Sequence, residues 1–150
     1  MRNPRYDRFL EENWLFEAMM ESYLPLVQML SHLAEKGVPG VLNLSVSPTL
    51  IAMLSDKLLC ERFSRHLEKL QDLARKELHR LEGDPDRLQI AKFYAARIME
   101  LADLWENRLH RDLLSEFASL ERRGKLALLT CVGTHPFLPA YQAEPESIRM

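Results

Sequence analysis

"KLALLTCVGTHPFLPAYQ", residues 125–142, is the stretch on which the fold turns. It opens with an unbroken apolar run, Leu126 to Cys131, and stops at Gly133-Thr134-His135-Pro136. A short apolar run closed by turn residues reads as a strand buried on both faces. A second such run, Val41 to Ser47, lies far upstream, bounded by Gly37-Val38-Pro39-Gly40 before it and Pro48 after it. Both are too apolar to face water, and helical spacing fills the chain between them. Buried-type strands joined by a long helical connection predict a parallel sheet covered by helices, an α/β class rich in helix. Two strands make a poor sheet, because independent stability usually needs three or more.

The helices follow from spacing and punctuation. Asp7 to Lys36 is helical by pattern, with Trp14, Leu15, Ala18, Met19 and Ser22, then Leu26, Met29, Leu30 and Leu33, recurring at three and four. Pro25 should kink this helix or start a second one, with Ser22 as its cap. Ser47-Pro48 reads as an N-cap and first-turn proline opening a short helix to Leu54. Asp56 caps the next helix, which runs to about Glu82 with Phe63, Leu67, Leu70, Ala74, Leu78 and Leu81 at helical spacing. Gly83-Asp84-Pro85 breaks it. A helix from about Pro85 to Trp105 follows, with Ile90, Phe93, Tyr94, Arg97, Ile98, Leu101 and Leu104 on one side. Arg111 to Arg123 is a shorter helix, and Gly124 takes the C-cap position. From Pro139 to Met150 the chain is polar and contains proline.

The totals exclude several classes. The 150 residues suffice for one domain with a core. A formal net charge of -2 leaves no cationic field for nucleic acid or an anionic membrane. No uncharged run approaches the roughly 18 residues of a membrane span, and Met1 is followed by Arg2, Asn3, Pro4 and Arg5 rather than a signal core. Cys60 and Cys131 form no disulfide framework and suit a reducing cytosol. The expected location is cytoplasmic.

Several residues invite chemistry. His135 follows a buried-type strand at its C-terminal end, the edge that carries the chemistry in parallel α/β folds. From spacing alone it is either functional or simply hydrogen-bonded within a turn. Cys131 and His135 suggest a metal pair, but four extended residues span roughly 13 Å, whereas zinc needs each ligand within about 2.0–2.3 Å of itself. No metal site is expected. Glu11, Glu12, Glu17 and Glu21 cluster near Trp14 and Phe16. A carboxylate beside an aromatic can bind sugar hydroxyls or act as an acid, yet the simpler reading is a solvated helix face. The run Glu61, Arg62, Arg65, Glu68, Lys69, Asp72 and Arg75-Lys76-Glu77 reads as a mixed-charge helix exterior, with a partner-binding coiled coil as the alternative. There is no phosphate loop, no GxSxG elbow and no paired-cysteine motif.

Four segments, "RNPRYDRFLEENWLFEAMMESYLPLVQML", "GVPGVLNLSVSPTLIAMLSDKLLCERFSRHLEKLQDLARKEL", "IAKFYAARI" and "GKLALLTCVGTHPFLPAYQAEPESI", resemble in order the N-terminal part of the catalytic domain of glycoside hydrolase family 57, in its α-glucan branching-enzyme group. The blocks FLEE-x-WLFEA and TC-x-x-TH-x-FLP carry the resemblance. It implies the N-terminal portion of a (β/α)7 barrel, α-glucan metabolism, no cofactor, and a retaining mechanism. In that mechanism one carboxylate attacks the anomeric carbon and a second protonates the leaving oxygen. His135 matches the histidine of the family's second block, implying a hydrogen bond to a glucosyl hydroxyl. Trp14 matches a tryptophan near the same cleft, where its ring would suit a pyranose face; a core position is the equal alternative.

The sequence also departs from that pattern. The family's upstream His-x-His-x-Pro block has no counterpart here, Asn3 stands where histidine is often found, and Pro136 replaces the usual glycine. The nucleophilic glutamate and the acid/base aspartate belong to later blocks, so no residue here matches them. The resemblance therefore implies that residues 1–150 are a partial catalytic domain, incomplete at both ends and inactive alone. Its partner in the full-length parent would be an α-glucan, and open sheet edges would promote self-association. The alternative is a stand-alone helical binding or scaffold protein, or a vestigial carbohydrate-binding module.

Overall fold

The computed structural model describes residues 10–133, 137–141 and 146. The chain runs through α1 (Leu10–Ala18), a π turn (Met19–Tyr23), α2 (Leu24–Glu35), β1 (Leu42–Ser45), α3 (Pro48–Leu54) and α4 (Lys57–Arg80). It continues through α5 (Pro85–Asp103), a second π turn (Leu104–Arg108), α6 (Leu113–Arg122), β2 (Leu126–Leu129) and a 3-10 turn (Leu138–Tyr141).

The helix starts obey local chemistry. The first N–H groups of a helix have no intrahelical acceptor, and a side-chain oxygen can satisfy them. Ser47 Oγ accepts from Leu50 N at 3.2 Å, and Asp56 Oδ1 accepts from Leu58 N and Leu59 N at 2.9 and 3.2 Å, as the sequence predicts. Asp84 caps α5 and Asp112 caps α6 in the same way. Asp112 delays α6 to Leu113, because His110 and Arg111 before it adopt positive φ of 50° and 65°. At the other end of α6 Gly124, at φ 67°, takes the left-handed position that glycine adopts without strain.

Ser22 is not a cap. Proline at position 25 lacks the N–H that an uninterrupted α-helix would require. The chain responds by widening into the π turn, where Leu24 N reaches Met19 O. α2 then restarts with Pro25 in its first turn and with Tyr23, itself helical, at the cap position without a side-chain bond. One long helical rod results instead of two capped helices.

β1 and β2 pair in parallel, with Leu42 opposite Leu126 and Ser45 opposite Leu129. Val46 N donates to Leu129 O at 2.8 Å, extending the ladder past β1. The strands are shorter than the predicted Val41–Ser47 and Leu126–Cys131, and they are less buried. Leu126 is buried, but Leu42 and Leu129 are exposed. A two-stranded sheet has two open edges, and the described helices do not wrap both faces.

The core lies where α1, α2, the proximal half of α4, the end of α5 and α6 meet. Phe63 stands 5.0 Å from Trp105, edge to face, and 5.4 Å from Phe16. Trp105 Nε1 donates to Ser64 Oγ at 3.0 Å, so the buried indole carries no orphan donor. α5 departs from its predicted face: Leu101 and Leu104 are buried, whereas Ile90, Phe93 and Tyr94 are exposed.

Phe63→Ala should therefore cost about 3–5 kcal/mol through lost burial and a cavity. Ser64→Ala should cost about 1–3 kcal/mol by orphaning the indole N–H. Urea denaturation of both variants measures these losses.

Candidate functional site

Two places combine polar chemistry with a concave or exposed surface. The first is the C-terminal edge of the β1–β2 pair. Thr130 Oγ1 donates to Val46 O at 3.1 Å, tying the two strand ends together. Ser47, on the same edge, is engaged as the α3 cap and shares a hydrogen bond of 2.9 Å with Thr49 Oγ1. Beyond Thr130 the chain continues through half-buried Cys131 to Gly133. His135, the main sequence candidate, lies outside the described residues. The Cys131–His135 pairing cannot be placed for the same reason. Among the described residues no group of three His, Cys, Asp or Glu side chains could hold a metal ion.

Trp14 is 58% exposed. α1 buries Glu12, Leu15 and Phe16, so a residue two positions after Glu12 must point outward. Leu10 and Glu17 share that outer side with Trp14 and are also exposed. An aromatic face beside a carboxylate can take the apolar side of a sugar and one of its hydroxyls. Trp14 is therefore not a core residue.

The second place lies between α1 and α4, a cavity of 560 Å³ lined by Glu12, Asn13, Arg62, Arg65, His66 and Lys69, among others. Here the sequence reading needs correction. Glu12 was expected on a solvated face and Arg62 on a helix exterior, yet Glu12 is 3% exposed and Arg62 8%. Arg62 donates from Nη1 to Glu12 Oε1, a buried ion pair joining α1 to α4. A signal was present: Glu12 stands at core spacing with Leu15, Phe16 and Met19, and Arg62 with Leu59 and Phe63. Each charge interrupts an apolar stripe at a position that faces the other. Glu17 and Glu21 are exposed as expected, whereas Glu11 is half-buried.

His66 completes this wall, half-buried with its ring 5.4 Å from Phe16. Burial pushes its imidazole below the ordinary value and the neighbouring Lys69 cation adds to the effect, while Glu17 opposes it. Elsewhere, burial pushes the Cys60 thiol up, helped by Asp56 and Asp112, and its Sγ lies 3.4 Å from Leu54 O. Such a thiol is a poor nucleophile. Neither Cys60 nor Cys131 forms a disulfide.

The model of glycosyl hydrolase family 57 matches residues 1–149. The alpha-amylase AmyC from Thermotoga maritima superposes with a TM-score of 0.89 and 38% identity, covering 98% of this chain and 28% of that one. A branching enzyme of the same family type from Pyrococcus horikoshii superposes with a TM-score of 0.80 and 30% identity, covering 85% of this chain and 24% of that one. The 1,4-alpha-glucan branching enzyme TK1436 of Thermococcus kodakarensis is 25% identical over 128 residues, covering 85% of this chain and 18% of its own length. The chain thus spans less than a third of each of these relatives.

Arg62→Ala should cost about 3–5 kcal/mol by stranding a buried carboxylate, whereas Glu12→Leu combined with Arg62→Met should recover most of that loss. Denaturant melts of the single and double variants check this. His66 yields a pH prediction. Its folded pKa lies below the ordinary imidazole value of 6.5, so the unfolded chain binds the proton more tightly. Its contribution is complete above that value and is lost as the pH falls from there through the folded pKa. Melting temperatures across this range should fall with acidification, and His66→Gln should flatten the fall.

Proposed function

The chain belongs to glycosyl hydrolase family 57, and we propose that residues 1–150 form the N-terminal part of the catalytic domain of an α-glucan-active enzyme, specifically a 1,4-α-glucan branching enzyme. The observation that carries the reading is the likeness, along nearly the whole chain, to relatives described as an alpha-amylase and as branching enzymes. In this reading the β1–β2 pair and its helices are the opening portion of a (β/α)7 barrel acting in the cytoplasm. The C-terminal edge tied by Thr130 and Val46 is the rim of the sugar cleft. His135, next along the chain from that edge, hydrogen-bonds a glucosyl hydroxyl, and Trp14 presents its ring to a pyranose face.

Chemistry at the anomeric carbon needs a nucleophilic carboxylate and an acid/base carboxyl held about 5–5.5 Å apart in a retaining enzyme. The one buried carboxylate on the described helices, Glu12, is neutralised by Arg62 and packed in the core, which suits neither role. In this reading the described residues supply a wall and a rim but no catalytic pair. A second reading, a helical binding or scaffold protein, draws support from the apolar residues left exposed on the distal part of α4 and α5.

Incubating the 150-residue polypeptide with amylose and counting α-1,6 anomeric protons by NMR tests the assignment. No rise in branch content is expected from this polypeptide, and a rise above the amylose blank would refute the division of labour. A longer chain continuing in the same frame should produce branches, with a drop of roughly 100- to 1,000-fold in kcat for His135→Ala, the scale of a lost transition-state hydrogen bond. Hydrolysis without branching in that longer chain would shift the assignment to an amylase.

A further inference from the structure

α4 and α5 pack as a helical hairpin whose two ends differ. The buried residues of α4 are Leu59, Arg62, Phe63, Ser64 and Leu67, all in its first half. Those of α5 begin at Ala95. The distal half of the hairpin thus projects beyond the core, closed at its tip by buried Leu81. On this arm Leu73, Ile90, Phe93 and Tyr94 are exposed, Ile90 by 59% and Phe93 by 63%. Leu73, Ile90 and Tyr94 line a largely apolar groove of 350 Å³ between the two helices. Phe93 and Tyr94 stand edge to face at 5.4 Å.

The sequence of α5 says what covers this face. Asp86, Ile90, Phe93 and Arg97 recur at intervals of four, three and four, so they share one side of the helix. The stripe carries an acid at one end, a base at the other and two large apolar side chains between. Neither charge takes part in an ion pair among the described residues; the nearby Asp84 and Arg87 pair with each other instead. Such a stripe is complementary to itself when reversed. In an antiparallel arrangement Asp86 meets Arg97 of a second copy at both ends, and Ile90 meets Phe93 of that copy twice at the centre. A parallel arrangement would set acid on acid and base on base.

We propose that this face of α5 is a homodimer interface, in which a second copy of the chain docks antiparallel about a two-fold axis. Closed two-fold pairing is the commonest form of association and uses the same patch on both partners. The apolar centre supplies the affinity, and the exposed charge pairs set the orientation and add little strength. The patch is small beside the roughly 1,200–2,000 Å² of a standard stable interface, so the dimer is a reversible one. This inference is independent of the glucan reading, and it does not involve the sheet edges.

Sedimentation velocity of the full chain over a concentration series at low salt tests it. The parent chain should dimerise reversibly. Phe93→Glu should weaken association by about tenfold or more, with circular dichroism confirming an unchanged fold. Asp86→Arg and Arg97→Asp should each weaken it several-fold, the double reversal should restore it, and mixing the two single variants should also restore it. A parent chain that stays monomeric throughout overturns the proposal, as would a helix supplied by the rest of a longer chain occupying this face. Association that all these variants retain also overturns it, since that would place the contact at the sheet edges. Failure of the double reversal to restore pairing overturns the antiparallel register.

Discussion

A carboxylate and a guanidinium enclosed between two helices set the geometry of this chain. Taking either group out of water alone costs several kcal/mol, and their mutual attraction repays this only when both are in place. Glu12 and Arg62 therefore act as a positional lock between α1 and α4. With Glu12 turned inward, Phe16 and Met19 follow it into the core and Trp14 is forced out. With Arg62 turned inward, the first half of α4 is held against the core around Phe63 and Leu67. Nothing comparable holds the second half of α4, which leaves with α5 as an arm. One buried pair thereby fixes both the outward indole and the projecting hairpin.

The sheet is the other organising element, and it is the less complete one. Its parallel register is defined and its C-terminal edge is tied by Thr130 and Val46. Yet Leu42 and Leu129 remain exposed and both outer edges are open among the described residues. Parallel strands are normally buried on both faces. The exposed leucines leave an apolar strand surface that the described helices do not cover.

Local signals were legible in the sequence. Ser47, Asp56 and Gly124 announce their caps because capping depends on residues a few positions away. The two strands and their parallel relation were readable from apolar runs joined by a long helical connection. What could not be read depends on contacts distant in sequence. The partner of Glu12 lies fifty residues on, and a lone Glu on an amphipathic helix is ordinarily solvated. The exposed half of α5 has the same periodicity as the buried half, because periodicity reports which residues share a face and not what covers it. Ser22 failed as a cap because Pro25 is accommodated by a π turn, a solution that leaves no terminus to cap. For the site, the sequence block singled out Trp14, and only the fold shows that its side chain is exposed.

Tryptophan fluorescence during titration with maltoheptaose tests most directly the proposal that the outer face of α1 binds glucan. The chain has two tryptophans, of which Trp105 is fully buried and Trp14 is exposed. The emission should shift to shorter wavelength in a saturable manner as a sugar covers the Trp14 indole, and Trp14→Phe should abolish the shift. An emission spectrum indifferent to maltoheptaose, or a shift that persists in Trp14→Phe, would contradict the account.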